Sequence, residues 1–306
     1  MIEIRKVHTH ELGVIANFIA EMNRLEEQHI GYCGTEPEEI RASLSEDFDQ
    51  VPYWESFVAA FKDGKVIGLI GFDGDLDHQT AEIWGPFVRG GLSELATELF
   101  VELKNHIPPT IEKLFLFPNK QNDTVISLAE EMDFEAMDAQ VILTIDKESV
   151  PQQRETGIRE VQSGQQQEFN KLHYQSFPDA YYSAEEILSR LDSQRKLFIS
   201  TDGNLLTGYI YVEVEPAFNE ASIEFVSVNR KDRGKGIGRK LIVNALQWMF
   251  THDEIDSVTL CVNATNEKAL KLYKKAGFKQ VHELCFFKKS LVKSIVVNEK
   301  AATDTE

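Results

Sequence analysis

A strand that runs into a helix through three alternating glycines fixes more about this chain than any other stretch. Residues 222–250 read SIEFVSVNRKDRGKGIGRKLIVNALQWMF, with glycines at 234, 236 and 238. The opening SIEFVSV is β-branched and alternating, which makes a strand. Leu241, Ile242, Ala245, Leu246, Met249 and Phe250 recur at helical spacing. Glycines between the two remove side chains where a ligand must approach backbone N–H groups. A helix start adds unpaired N–H donors and the positive end of its dipole. Together they make an anion site suited to a pyrophosphate. The surrounding charge agrees. Arg230, Lys231, Arg233, Lys235, Arg239 and Lys240 face one acid, Asp232, in a chain whose net charge is −18. Cations at a helix N-terminus oppose the dipole, so the cluster is better explained by an anionic ligand than by solvation.

The chain also repeats itself. IEIRKV (2–7) parallels GIREV (157–161), and FVAAFKDGKVIGLIGF (57–72) parallels LFISTDGNLLTGYIYV (197–212). Asp63-Gly64 and Asp202-Gly203 are hairpin signals. TAEIWGPFV (80–88) parallels EASIEFVSV (220–228), and residues 113–134 parallel 257–278 as strand, loop and helix. Gly68 and Gly208 are 140 residues apart, as are Val88 and Val228, whereas Asn119 and Asn263, or Phe134 and Phe278, are 144 apart. The first half therefore lacks four residues where the second carries its glycine loop, and offers only Arg89-Gly90-Gly91. Trp84-Gly85-Pro86 also stands out, because Pro86 removes an amide from the strand that would serve a ligand. This period is too long for a solenoid and reads as two copies of one domain. The expected partition is a degenerate copy at 1–147, a linker at 148–156, a functional copy at 157–291 and a flexible tail at 292–306.

The glycine loop is not a P-loop, because no Gly-Lys-Ser/Thr follows at the required spacing, nor is it the dinucleotide GxGxxG. It matches Arg/Gln-x-x-Gly-x-Gly/Ala after a strand, with Arg233, Gly236 and Gly238 at the fixed positions. This segment resembles motif A of the GCN5-related N-acetyltransferase (GNAT) superfamily. Residues 266–278, NEKALKLYKKAGF, resemble its motif B. The resemblance covers about 155–290. The first half resembles the same fold but departs at each functional position: Ala129 stands where the second half has Tyr273, and Asp133 where it has Gly277. The fold class implied is mixed α/β, two tandem GNAT domains, each a central mixed sheet flanked by helices.

The resemblance implies acetyl-coenzyme A as co-substrate, its pyrophosphate held by backbone N–H groups around Gly234, Lys235, Gly236, Ile237, Gly238 and Arg239, with Arg233 beside it. The backbone of Val226, Ser227 and Val228 would pair with the pantetheine arm like an added strand, with 260–262 as the opposing strand. Asn266 would contact the cofactor, although an asparagine there also caps a helix. Tyr273 would protonate the departing thiolate as a general acid. An attacking ammonium must first lose a proton, and Glu224 is the preferred base because strand parity places it on the face of Val226 and Val228. Glu213 and Glu215 are its rivals. His173, Tyr174, Phe177, Tyr181 and Tyr182 shape an acceptor pocket or pack a helix.

The activity implied is N-acetylation of a primary amine on a small molecule or peptide. The alternatives are a non-catalytic acyl-coenzyme A sensor or assembly module, and a different acyl or aminoacyl transfer on the same tandem fold. The acidic balance disfavours nucleic acid. No apolar run approaches the ~20 residues of a membrane span, and MIEIRKVHTH lacks an apolar signal segment, so a cytoplasmic protein is expected. A homo-oligomer is compatible with this reading. Cys33, Cys261 and Cys285 form neither a disulfide framework nor a zinc pattern and are expected as buried apolar residues, with Cys261 on a buried strand. No metal is expected.

Overall fold

Local signals account for the hairpins that begin each half. The chain is described by a computed structural model covering residues 2–90, 92–151, 156–178, 180–203 and 205–291. The expected tail at 292–306, linker residues 152–155 and Gly91 lie outside the described residues. Asp63 and Gly64 both have positive φ, 52° and 74°. That is the geometry of a turn matching the twist of paired strands.

In chain order the first half forms β1 (Ile2–Lys6), α1 (Leu12–Asn23), α2 (Pro37–Glu46), α3 (Tyr53–Ser56), β2 (Val58–Lys62), β3 (Lys65–Asp75), β4 (Thr80–Val88), α4 (Ser93–Lys104), β5 (Lys113–Leu116), α5 (Asp123–Glu131) and β6 (Glu135–Asp146). The second half forms β7 (Ile158–Glu160), α6 (Gln166–Ser176), α7 (Ala184–Arg190), β8 (Arg195–Asp202), β9 (Leu205–Glu215), β10 (Glu220–Val228), α8 (Ile237–Met249), β11 (Ser257–Asn263), α9 (Glu267–Ala276) and β12 (Lys279–Ser290). Among the described residues no helix is long and apolar enough to cross a membrane.

The chain divides into two units, Met1–Ala139 with Leu284–Glu306, and Gln140–Glu283. This division differs from the one drawn on the repeat at 147–157. The two closing strands explain the difference. The end of β6 pairs antiparallel with β11, from Gln140↔Asn263 to Asp146↔Ser257, and so belongs to the second unit. The end of β12 pairs antiparallel with β5, from Phe287↔Leu116 to Ser290↔Lys113, and so belongs to the first. Val141, Leu143 and Ile145 accordingly enter the core beneath α8, while Phe287 enters the core of the first unit. Alternation in a strand says which face is buried, but not which sheet edge it joins.

In the first unit β1, β2, β3 and β4 form an antiparallel meander. β4 then pairs parallel with β5 at Thr80↔Lys113, Ala81↔Leu114 and Glu82↔Phe115. The second unit repeats the meander as β7, β8, β9 and β10. Its β10 is the terminal strand of a four-stranded sheet. β10 and β11 approach within 8 Å yet share no ladder and belong to different sheets. The parallel contact that joins β4 to β5 is thus open between β10 and β11.

Candidate active site

The expected apolar stripe of α8 is buried throughout: Leu241, Ile242, Ala245, Leu246 and Met249 are fully enclosed, and Phe250 is 8% exposed. Burying the five larger side chains contributes on the order of 10 kcal/mol. The cations around the helix start, each costing roughly 0.3–1 kcal/mol against the dipole, cannot outweigh that. Packing therefore holds in place a helix whose N-terminus is left electropositive. Its N-cap is Gly236, no side chain caps it, and its first turn holds no acid.

The three loop glycines serve two purposes. Gly234 and Gly236 have φ of 82° and 79°, and a Cβ on either would meet nothing within 4 Å. They are glycines for conformation and border open space. Gly238 is helical, and its Cβ would stand 3.2 Å from both methyls of Leu272 on α9. It is a glycine for helix–helix approach. Around them, Arg233 donates from Nε to the Val228 carbonyl at 3.0 Å, which ties the loop to the end of β10. Lys235 pairs with the buried Asp232 at 2.7 Å. Arg239 donates to the Lys275 carbonyl at 3.1 Å at the C-terminal end of α9. Ile237 begins α8 and packs against the core of this unit.

β10 carries the remaining expected cofactor residues. Val226 and Val228 pack on the α8 side, whereas Ser227 is buried and bonds Ser176 of α6 at 2.7 Å. Gly208↔Val228 repeats the register of Gly68↔Val88. Asn266 is the N-cap of α9, accepting from the Ala269 N–H at 3.2 Å. Its carbonyl oxygen is thereby used in capping, and its amide nitrogen is the donor that remains for a ligand. Tyr273, on the same helix, is 8% exposed and meets Phe278 edge-on at 5.5 Å. Burial pushes its phenol up to about 12. It therefore keeps its proton at any working pH, as a proton donor must.

Glu224 differs from expectation in its facing. The register of β10 against β9 shifts between Ile223 and Phe225, which leaves Glu224 as the extra residue of a bulge. A bulge breaks alternation. Ile223 and Val226 consequently share the α8 face, while Phe225 packs with α6 and α7. Glu224 goes with Phe225, not with Val226 and Val228. Its carboxylate accepts from the Tyr181 and Ser222 hydroxyls. Glu213, a rival base, is 8% exposed and enclosed by Arg190 at 3.0 Å, Arg195 at 3.4 Å and the Tyr211 hydroxyl at 2.6 Å. Arg190 also donates from Nε to the Tyr211 hydroxyl at 3.4 Å, and its bonds to Tyr211 and then to Glu213 raise it above its ordinary value. Glu215 lies exposed at the end of β9.

The aromatic segment divides into core and surface. His173 is fully buried, and its Nε2 donates to the Tyr182 carbonyl at 2.9 Å, since a carbonyl only accepts. Its Nδ1 then accepts from the Tyr209 hydroxyl at 2.7 Å in the neutral ring. Phe177 packs on Phe225. Tyr174 and Tyr181 are exposed. The cysteines correct expectation: Cys33 is buried, but Cys261 is exposed and Cys285 intermediate. β11 alternates with Val258 and Val262 inward, so Cys261 points outward. The Tyr181 and Ser222 bonds to Glu224 were not anticipated either. Only the nearness of Ser222 in sequence hinted at one of them.

The second unit thus sets a glycine loop and an uncapped helix start beside a terminal strand that shares no ladder with β11. Residues 160–278 match the acetyltransferase (GNAT) family. Over 80 residues, 26% of this chain, it is 36% identical to a mycothiol acetyltransferase of Corynebacterium aurimucosum. The match spans 25% of that relative's length. The fold is similar to a GCN5-related N-acetyltransferase from Sphaerobacter thermophilus, with TM-score 0.66 and 19% identity over 96% of this chain and 97% of the other. It is also similar to a tandem GNAT protein from the clavulanic acid biosynthesis pathway, with TM-score 0.54 and 16% identity over 96% and 100%. At these identities the likeness is one of fold.

Proposed function

We propose that the second unit is an acetyl-coenzyme A-dependent N-acetyltransferase acting on a primary amine of a small molecule or peptide. The cradle supports this most directly, because Gly234 and Gly236 adopt positive φ beside open space before an uncapped helix. Such a site fits a pyrophosphate. When bound, acetyl-coenzyme A supplies an acyl group activated as a thioester. The backbone around 234–239 would hold its phosphates, with Arg233 and Lys235 adding charge. The outer edge of β10 at 226–228 would align the pantetheine arm by strand-like pairing. Asn266 would add an amide donor.

Glu224 takes a proton from the acceptor's ammonium, directly or through water, leaving the amine free to attack. Tyr273 delivers a proton to the departing sulfur. No acyl-enzyme is invoked on this reading: Cys261 is exposed on β11, and its thiol donates to the Gln140 side-chain oxygen at 3.0 Å.

Titration calorimetry with coenzyme A tests the cradle, and absence of heat overturns this reading. A thiol-release screen with acetyl-coenzyme A over amines, amino acids, polyamines, aminoglycosides and peptides tests the activity. Mycothiol, which the matched relative's name carries, belongs in that screen. Binding without release across the whole panel would turn the reading towards a sensor module.

A further inference from the structure

The loop between α6 and α7 is pinned to the sheet more firmly than a surface loop requires. His173 on α6 holds the Tyr182 carbonyl from one ring nitrogen and the Tyr209 hydroxyl of β9 from the other. The Tyr182 ring lies under the Arg190 guanidinium, 4.2 Å from its centroid. Arg190 is itself fixed to Glu213 on β9. Between these anchors, Tyr181 turns outward and is 64% exposed. Its ring rests on Phe225 at 4.9 Å, and its hydroxyl donates to one oxygen of Glu224. Ser222 donates to the other oxygen. An exposed tyrosine ordinarily gains little from ordering its side chain. Here the order is imposed by a buried histidine on the neighbouring residue, and its product is a hydroxyl aimed at a carboxylate in a bulge.

We infer that Tyr181 is a positioning residue for acyl transfer: it sets the orientation of Glu224 and covers it until an acceptor amine arrives. The inference rests on Glu224 acting as the base. The Tyr181 and Ser222 hydroxyls each hold one oxygen of the carboxylate, which fixes its plane. Its ring, resting on Phe225, makes one wall of the entry to that carboxylate. An ammonium reaching Glu224 displaces the tyrosine hydroxyl or takes the remaining lone pair. Tyr181 neither gives nor receives the transferred proton, and its phenol is raised above its ordinary value by burial of the hydroxyl and the bond to Glu224.

The test compares Tyr181→Phe, Tyr181→Ala and Glu224→Gln in the full chain, using the acceptor that emerges from the amine screen. Tyr181→Phe keeps the ring and removes the donor. It should lower kcat about three- to ten-fold, with the acceptor KM within about two-fold. Tyr181→Ala should show the same loss of kcat and raise the acceptor KM roughly five- to ten-fold, corresponding to loss of one aromatic wall. Coenzyme A affinity should be unchanged in both. An unchanged kcat in Tyr181→Phe, with Glu224→Gln strongly impaired, overturns the role of Tyr181 and leaves the base in place. Full activity in Glu224→Gln overturns the base itself. Altered coenzyme A affinity or a lowered melting temperature in Tyr181→Phe would mark Tyr181 as merely structural.

Discussion

The two units carry the same meander of strands, and they differ where each could meet a ligand. In the first, the Val88 N–H at the outer edge of β4 is bonded by the buried Gln28 side chain at 3.2 Å. Pro86 offers no N–H, Arg89 is locked to Glu21 at 2.6 Å, and β4 is joined to β5. The adjoining cavity, about 350 Å³, is bordered by Glu27 and Asp123. In the second, Val228 has the same register, β10 is terminal, and the neighbouring loop is basic and glycine-rich. One copy has satisfied its strand edge internally and surrounded it with acids. The other has left the edge open beside cations. A fold can thus be kept while the backbone groups that define its activity are either occupied or exposed.

The sharpest break of this comparison is Tyr273→Phe. It should lower kcat about 100-fold and leave calorimetric coenzyme A affinity within two-fold. Retention of full turnover would equate Tyr273 with Ala129, its inert counterpart. Next in size, Gly236→Val places a β-branched residue at φ 79°. Strain of about 1–3 kcal/mol and a blocked cradle should weaken coenzyme A at least ten-fold. Gly90→Val, at φ 77° in the first unit, should leave that affinity unchanged. Equal losses would mean that both loops bind.

Smaller effects concern stability. Gln28→Ala strips the Val88 N–H of its acceptor and should destabilise the protein by about 1–3 kcal/mol in urea unfolding, without creating coenzyme A affinity in the first unit. Asp73 and Glu82 face each other across β3 and β4, and burial raises both above the ordinary carboxylate range. Raised acids disfavour the folded state once ionised, so Glu82→Gln should raise the melting temperature at pH 7, with the gain shrinking as pH falls. Glu11 has the opposite sign. Its bidentate bond to Arg5 holds it down at about 2. That contribution is complete above the ordinary glutamate range and is lost as pH falls towards 2. Acid unfolding of Glu11→Gln against the parent should converge there.

Much of the site was legible because its determinants are neighbours in the chain. Gly234 and Gly236 need positive φ, Gly238 faces α9, and the α8 stripe is buried as its spacing requires. The facing of Glu224 was not legible, since one extra residue in β10 reverses parity and nothing local announces it. Nor was the outward face of Cys261 on β11, because a short apolar run does not show whether one or both faces are covered.

The sequence by itself determined a duplicated mixed α/β fold with an uncapped, glycine-led helix start in the copy whose loop carries the added glycines and cations. Backbone preference and apolar periodicity act over a few consecutive residues and can be read directly. The tertiary structure alone decided that the end of β6 pairs with β11 of the second unit and the end of β12 with β5 of the first, and that Tyr181 meets Glu224. Strand-edge partners and bulges depend on residues far apart in the chain, whose competition is resolved only when the whole sheet packs.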